Sequence, residues 1–221
     1  YFVIVNTIAI YLFPGGSLYD PTLTSYSFSE NFFSDLGVYE TVSGEQNFLS
    51  CFLFNSTLVM MGFACLSFIL VPRLFKDNKI SYVCATIGSY IAMLSGLSFL
   101  GVGLTPADLY FHEHVFFVIV GFRSMVPAMV FLTLAFFFSP VSNKYTVASV
   151  LFLLSITLYA FFETSDPPDV SPRENLELFK ESVSYNRMVI SVIAQKVITL
   201  ISFVSFFVFT YGFYQLSLLK K

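Results

Sequence analysis

Two cationic side chains sit where the sequence is otherwise oily: Arg123 within the apolar run 111–138, and Lys196 within the run 188–218. A charge inside a membrane-spanning helix is costly and normally faces a bundle interior, a wet cavity or an anion. Each lies nine or ten residues from the same end of its run, so at 1.5 Å per residue the two share a depth of roughly 13–17 Å. No Asp or Glu occurs at that depth in any apolar run. Negative charge can come from three places: the turn carrying Asp35, the flanking Glu113 or Glu163, or an anionic ligand such as a lipid phosphate. A fourth arrangement needs no anion, with Arg123 bonding carbonyls and amides such as Asn55 while Lys196 reaches water along a crevice. A retinal Schiff base on Lys196 is disfavoured, because the chain has no Trp and no carboxylate at that depth.

Both histidines fall in His112-Glu113-His114, at the start of the fourth apolar run. Residues two apart on a helix point to nearly opposite sides, so His112 and His114 grip one metal ion only if the turn is irregular. A zinc site also needs a third or fourth donor, which Asp108, Asp35 or Glu163 would supply. The competing reading is that both rings bond loops at the membrane interface. Ser34, Asp35 and His112 have the types needed for hydrolysis, with Asp35 orienting a histidine that activates Ser34 or water. No G-x-S-x-G elbow supports that chemistry. Asn55-Ser56-Thr57 matches a glycosylation acceptor but lies inside an apolar run, where it reads as an interhelical contact. The identity of any cofactor stays open.

Positioning these residues falls to long apolar segments. The chain is 56% hydrophobic and 11% charged, against about 25% charged in soluble domains, which leaves too little polar surface to face water. Its 29 Phe suit lipid, and 13 Tyr can furnish the interfacial belt. With a net charge of −3, nothing suggests nucleic acid, whose binding needs clustered Lys and Arg. Cys51, Cys65 and Cys84, odd in number and set in apolar runs, read as buried hydrophobes rather than a disulfide framework.

Helical spans are expected at 1–13, 48–71, 80–102, 111–138, 145–162 and 188–218, the first cut short because the chain starts inside it. Breakers stand between them: Pro14-Gly15-Gly16, Pro72, Pro106, Pro140 and Pro167-Pro168, while Pro127 should kink the fourth. Arg73, Lys76, Lys79, Lys144, Lys220 and Lys221 fall on one side; the other has Arg173 and Lys180 among many acids. Lys and Arg enrich cytoplasmic loops, so both termini are expected in the cytoplasm. The fold class is therefore all-α, a polytopic transmembrane bundle of six spans forming a single domain over 1–221. It carries an outer loop at 14–47 and an outer helix near 171–184. That helix opens at Ser171-Pro172-Arg173-Glu174, a reciprocal cap, and is expected to lay Leu176, Phe179 and Val183 on the bilayer surface.

Several short motifs fall on the outer side: Pro14-Gly15-Gly16, Asn31-Phe32-Phe33-Ser34-Asp35-Leu36-Gly37, Phe54-Asn55, and Gly101-Val102-Gly103-Leu104-Thr105-Pro106-Ala107-Asp108 followed by a histidine. In these the chain resembles an uncharacterised family of six-helix integral membrane proteins, domain of unknown function 998, which is similar in layout to DRAM-type and Frag-type membrane proteins. The resemblance implies a six-helix bundle whose polar residues, Ser34, Asp35, Gly37, Asn55, Pro106, Asp108 and one histidine, gather at the outer face. It implies no reaction, and it does not extend to Arg123 or Lys196.

Three functions follow as expectations for a multi-pass protein of the cell membrane. The first is an outward polar cavity lined by Asp35, His112, Arg123 and Lys196, with Asn55 and Glu163 nearby, that binds an anionic lipid headgroup without catalysis. The second makes that cavity a lipid hydrolase, with Ser34, Asp35 and His112 catalytic and a metal held by His112, His114 and Asp108. The third is a structural subunit packing against other membrane proteins. Membrane lipids are the expected partners of the first two.

Overall fold

In hydrocarbon a backbone N–H or C=O has no water to bond, so a spanning segment must pair its polar groups within itself, as a helix does. The computed structural model describes residues 1–164 and 168–219; Ser165, Asp166, Pro167, Lys220 and Lys221 lie outside the described residues. Seven α-helices occur among the described residues: α1 Phe2–Leu12, α2 Phe48–Cys65, α3 Lys79–Leu104, α4 Phe111–Phe137, α5 Asn143–Thr164, α6 Leu176–Ser182 and α7 Tyr185–Leu218. The fold is an all-α polytopic bundle. Five segments are long and apolar enough to cross a membrane: α2 with its extension to Phe75, α3, α4, α5 and α7. The sixth apolar helix, α1, has 11 residues, a rise of about 16 Å against a hydrocarbon core of about 30 Å.

One breaker acts differently from expectation. Pro72 does not end the second segment: α2 passes at Cys65 into a 3-10 segment, Leu66–Phe75, that runs through the proline. Proline removes one donor from the ladder, and here the loss is absorbed within tighter winding. Pro127 lies inside α4, as expected.

Exposed faces are apolar at helical spacing. On α5, Val147, Leu151, Leu154, Leu158 and Phe161 are all exposed, Leu158 to 74%. On α7, Val197, Leu200, Val204, Phe207, Tyr211 and Tyr214 form another stripe, with Phe207 at 77%. Such stripes are ruinous in water and natural against lipid. The buried faces hold Ser149, Phe152, Ile156 and Ala160 on α5, and Met188, Val192, Ile198 and Phe209 on α7.

Contacts group the chain into two interleaved compact units, the first comprising Tyr1–Met61, Phe99–Val118 and Glu163–Lys196, the second Gly62–Ser98, Ile119–Phe162 and Val197–Lys221. The first unit holds two apolar clusters. One joins Ala9, Phe13, Tyr26, Leu36, Phe54, Leu58 and Val102. The other joins Leu18, Phe179, Met188 and Val192, with Phe32, Leu176 and Val183 against it. Thus α6 turns its apolar face into protein, where the sequence suggested the bilayer surface. Nor does α6 begin at the Ser171 cap. Ser171 and Glu174 do exchange reciprocal bonds, Ser171 N–H to Glu174 Oε2 at 3.0 Å and Glu174 N–H to Ser171 Oγ at 3.1 Å. They close a separate turn, and Asn175 caps α6 through Leu178 N–H.

In the second unit, fully buried Phe136 stacks on Phe213, ring centroids 5.3 Å apart, and meets Phe75 edge-on at 5.7 Å. There α3 and α4 approach at Gly88, where a Cβ would stand 2.9 Å from Leu132, the small-residue contact typical of membrane helices. Charge is divided unevenly. The second unit's segments contain seven of the eleven Lys and Arg but a single acid, Asp77, of the fourteen in the chain.

Candidate functional site

The polar residues of the first unit converge on a side chain that motif reading passed over, Asn31. The loop after α1 turns at Gly15 and Gly16, whose φ values of +116° and +81° are open to glycine and strained for other residues. A Cβ on Gly15 would run into the Leu23 carbonyl. This turn presents Gly16 O to Asn31 Nδ2 at 2.8 Å. Asn31 Oδ1 accepts from Ser27 N–H at 2.9 Å, and Asn31 Nδ2 also donates to Asp35 Oδ2 at 3.1 Å. Asp35 in turn accepts from Phe32 N–H at 2.9 Å, opening the 3-10 turn Phe33–Gly37. Buried Asn31 therefore ties three separate stretches of loop together.

Helix α7 grips the same turn with two consecutive side chains. Gln195 Oε1 accepts from Phe33 N–H at 2.6 Å, and Lys196 Nζ donates to Asn31 O at 2.6 Å. Asn31 O also accepts from Tyr26 Oη at 3.0 Å. The ammonium lies 5.3 Å from the Tyr26 ring centroid and 5.2 Å from that of Phe33, cation–π contacts that partly replace lost hydration. Among the described residues no carboxylate lies within 4.0 Å of Lys196 Nζ.

Asp35 feels Lys196 through space. Burial pushes the Asp35 carboxyl up to about 6; its bonds from Asn31 and Phe32 and the positive charge of Lys196 pull the other way. The Tyr26 phenol is driven far above its ordinary range by burial, with the charge of Asp35 adding to the effect. The floor of the turn is fixed by α2. Asn55 Nδ2 donates to Gly37 O at 2.9 Å, and a Cβ on Gly37 would stand 2.6 Å from Asn55 Oδ1.

The remaining predicted residues separate into distinct places. Ser34 lies on the turn beside Asp35, but among the described residues no hydrogen bond joins Ser34, Asp35 and His112, and the His112 side chain is exposed. His114 is buried, its Nδ1 2.7 Å from Thr105 O. Asp108 accepts Tyr39 N–H and Glu40 N–H, each at 3.0 Å, and meets Arg173 at 3.3 Å. Among the described residues no three His, Cys, Asp or Glu side chains come together as metal donors, so His112, His114 and Asp108 are not gathered as a set. Asp108 is a staple for the loop 38–47 instead. Glu163 ends the apolar part of α5 facing Ser191 and Arg187, with Oε2 buried and unpartnered. Arg123 belongs to the second unit and is exposed on α4.

Sequence reading placed Asn31 in a motif without giving it a role, and missed Tyr26 and Gln195. The available signal for Gln195 was its place beside Lys196, a polar pair in an apolar run; Tyr26 looks like an ordinary loop residue. Chemically, the arrangement offers a half-buried ammonium with aromatic walls and, beyond the Asn31 side chain, a carboxyl lifted to about 6.

No curated protein and no solved structure matches the chain. Residues 7–175 match a family described as Protein of unknown function (DUF998), which spans the loop with Asn31 and Asp35, Asn55, Asp108, both histidines and Arg173. The chain is an integral membrane protein of that family.

Proposed function

We propose that this protein binds an anionic lipid headgroup, without catalysis, at the Lys196 ammonium. The observation that carries the reading is the incomplete pairing of that cation. It sits on a 34-residue apolar helix, its one hydrogen bond among the described residues goes to a neutral carbonyl, and two ring faces supply weak additional contacts. An ammonium has three protons to donate, and a phosphate oxygen is the hard acceptor that lipid makes abundant. Arg73, Lys76, Lys79 and Lys144 in short loops support an orientation with those loops in the cytoplasm, so the headgroup would come from the outer leaflet. Glu163 and His112 belong to the same unit.

Native mass spectrometry of protein reconstituted from phosphatidylcholine with and without phosphatidylglycerol tests this. Wild type should retain phosphatidylglycerol, Lys196→Met should lose about tenfold in retention, an effect near 1.4 kcal/mol, and Lys196→Arg should keep most of it. Equal retention by Lys196→Met overturns the proposal.

A second reading, a lipid hydrolase, is favoured by the Asp35 carboxyl being lifted to about 6, since a general base works best near the operating pH. Asp35 would then take a proton from water or Ser34 at a headgroup held by Lys196. Fatty-acid release from phosphatidylglycerol, abolished in Asp35→Asn, would establish it; no release from wild type would remove it.

A further inference from the structure

Within the second unit, an open cleft of about 170 Å³ lies where the 3-10 segment Leu66–Phe75 runs beside α3. A space of that size holds about five waters. Its walls differ in kind. Arg73 and Lys76 contribute cations, Tyr82 and Tyr90 phenols, Ile69 and Met93 apolar surface, and Ser89 a hydroxyl. Ser89 is the most informative. Serine within a helix usually bonds the carbonyl four residues back, as Thr86 does to Tyr82 O at 2.7 Å and Ser98 to Leu94 O at 3.0 Å. Ser89 is 1% exposed, yet among the described residues its Oγ has no hydrogen-bond partner. A buried hydroxyl left unmatched costs roughly 1–3 kcal/mol, and this one lines a cleft that two cations share.

We infer that this cleft binds the phosphodiester of an anionic phospholipid. The position favours lipid over other carriers of the same group. Arg73 and Lys76 mark the end of the apolar segment Phe48–Phe75, where a spanning helix meets headgroups. Ile69 and Tyr90, both exposed, offer the adjoining surface to glycerol and acyl carbons. Basic pockets between spanning helices are a recurrent form of headgroup site. The phosphate oxygens would accept from Arg73 and Lys76 and from the Ser89 hydroxyl, which then gains the acceptor it lacks. This site is separate from Lys196: it uses different residues, in the other compact unit.

The test measures phosphatidylglycerol-induced thermal stabilisation and lipid retention in vesicles of phosphatidylcholine with phosphatidylglycerol. It compares wild type, the double variant Arg73→Gln/Lys76→Gln, Ser89→Ala and Lys196→Met. The double variant should lose about tenfold in retention of one lipid and Ser89→Ala about threefold, while Lys196→Met keeps that component. Ser89→Ala should be at least as stable as wild type in phosphatidylcholine alone, so its reduced response to phosphatidylglycerol reads binding rather than folding. Competition by inorganic phosphate or glycerol 3-phosphate distinguishes the sources: a lipid site resists both, and a soluble-phosphate site yields to either. Wild-type response in both Ser89→Ala and the double variant overturns the inference, whatever Lys196→Met does.

Discussion

Lys196 Nζ donates a 2.6 Å hydrogen bond to the backbone oxygen of Asn31, across 165 residues of sequence. The bond sets the last helix against the first long loop and places a positive charge beside the turn that carries Asp35. Because Gln195 holds Phe33 N–H from the adjacent position, α7 grips that turn at two points, and substitutions on either partner should be felt by the other.

Asn31→Ala should be the most damaging loop substitution. It removes the partner of Gly16 O and of Ser27 N–H and one of the two donors to Asp35. With buried groups left unmatched at roughly 1–3 kcal/mol each, a loss of about 2–4 kcal/mol is expected in thermal denaturation of the detergent-solubilised protein. A change within error of zero would show that Asn31 is not the hub described.

Asp35 predicts a pH signature. Its proton is held more tightly in the folded chain, near 6, than at its unperturbed 3.8, so the stability attached to it is complete below about 4 and falls as pH rises to about 6. Relative to Asp35→Asn, wild type should lose up to about 3 kcal/mol across that window and nothing further above it. Melting curves of both proteins between pH 4 and pH 8 check this; a difference that is flat, or a wild type that loses stability relative to Asp35→Asn on acidification, contradicts it.

Gly37→Ala should cost about 1–3 kcal/mol by overpacking, since its Cβ would press on Asn55 Oδ1 and stand 2.8 Å from the Phe54 ring. A second change that shortens the neighbour, Asn55→Ser, should recover part of the loss. Failure of the pair to couple in a double-mutant cycle would count against this contact.

Arg173 and Asp108 form one ion pair with unequal consequences. Arg173 is 45% exposed and its other partner Glu40 is 42% exposed, so Arg173→Ala should cost at most about 1 kcal/mol. Asp108, 8% exposed, also holds two backbone amides, and Asp108→Ala should cost about 2–3 kcal/mol. Equal losses on thermal melting would mean the ion pair matters more than the amides.

The sequence determined the solvent and the secondary structure. Runs such as 111–138 and 188–218 have too few polar groups to face water and are long enough to cross a membrane, and the matching helices α4 and α7 end within a few residues of expectation. Pattern reading also located Lys196 and Asp35, because a charge in an apolar run and a carboxyl in a capped turn are conspicuous in one dimension. What it could not decide was partnership. Pro72 looked like a terminator because propensity cannot weigh the 3-10 winding that carries the chain past it. Leu176, Phe179 and Val183 looked fit for lipid because an apolar face has the same spacing whether it meets lipid or Met188 and Val192. Above all, tertiary structure made Asn31 the centre of the loop and set Asp108 on two backbone amides of the loop 38–47. A hydrogen bond depends on a few ångströms and an angle between residues far apart in sequence, and that information comes into being only when the chain has packed.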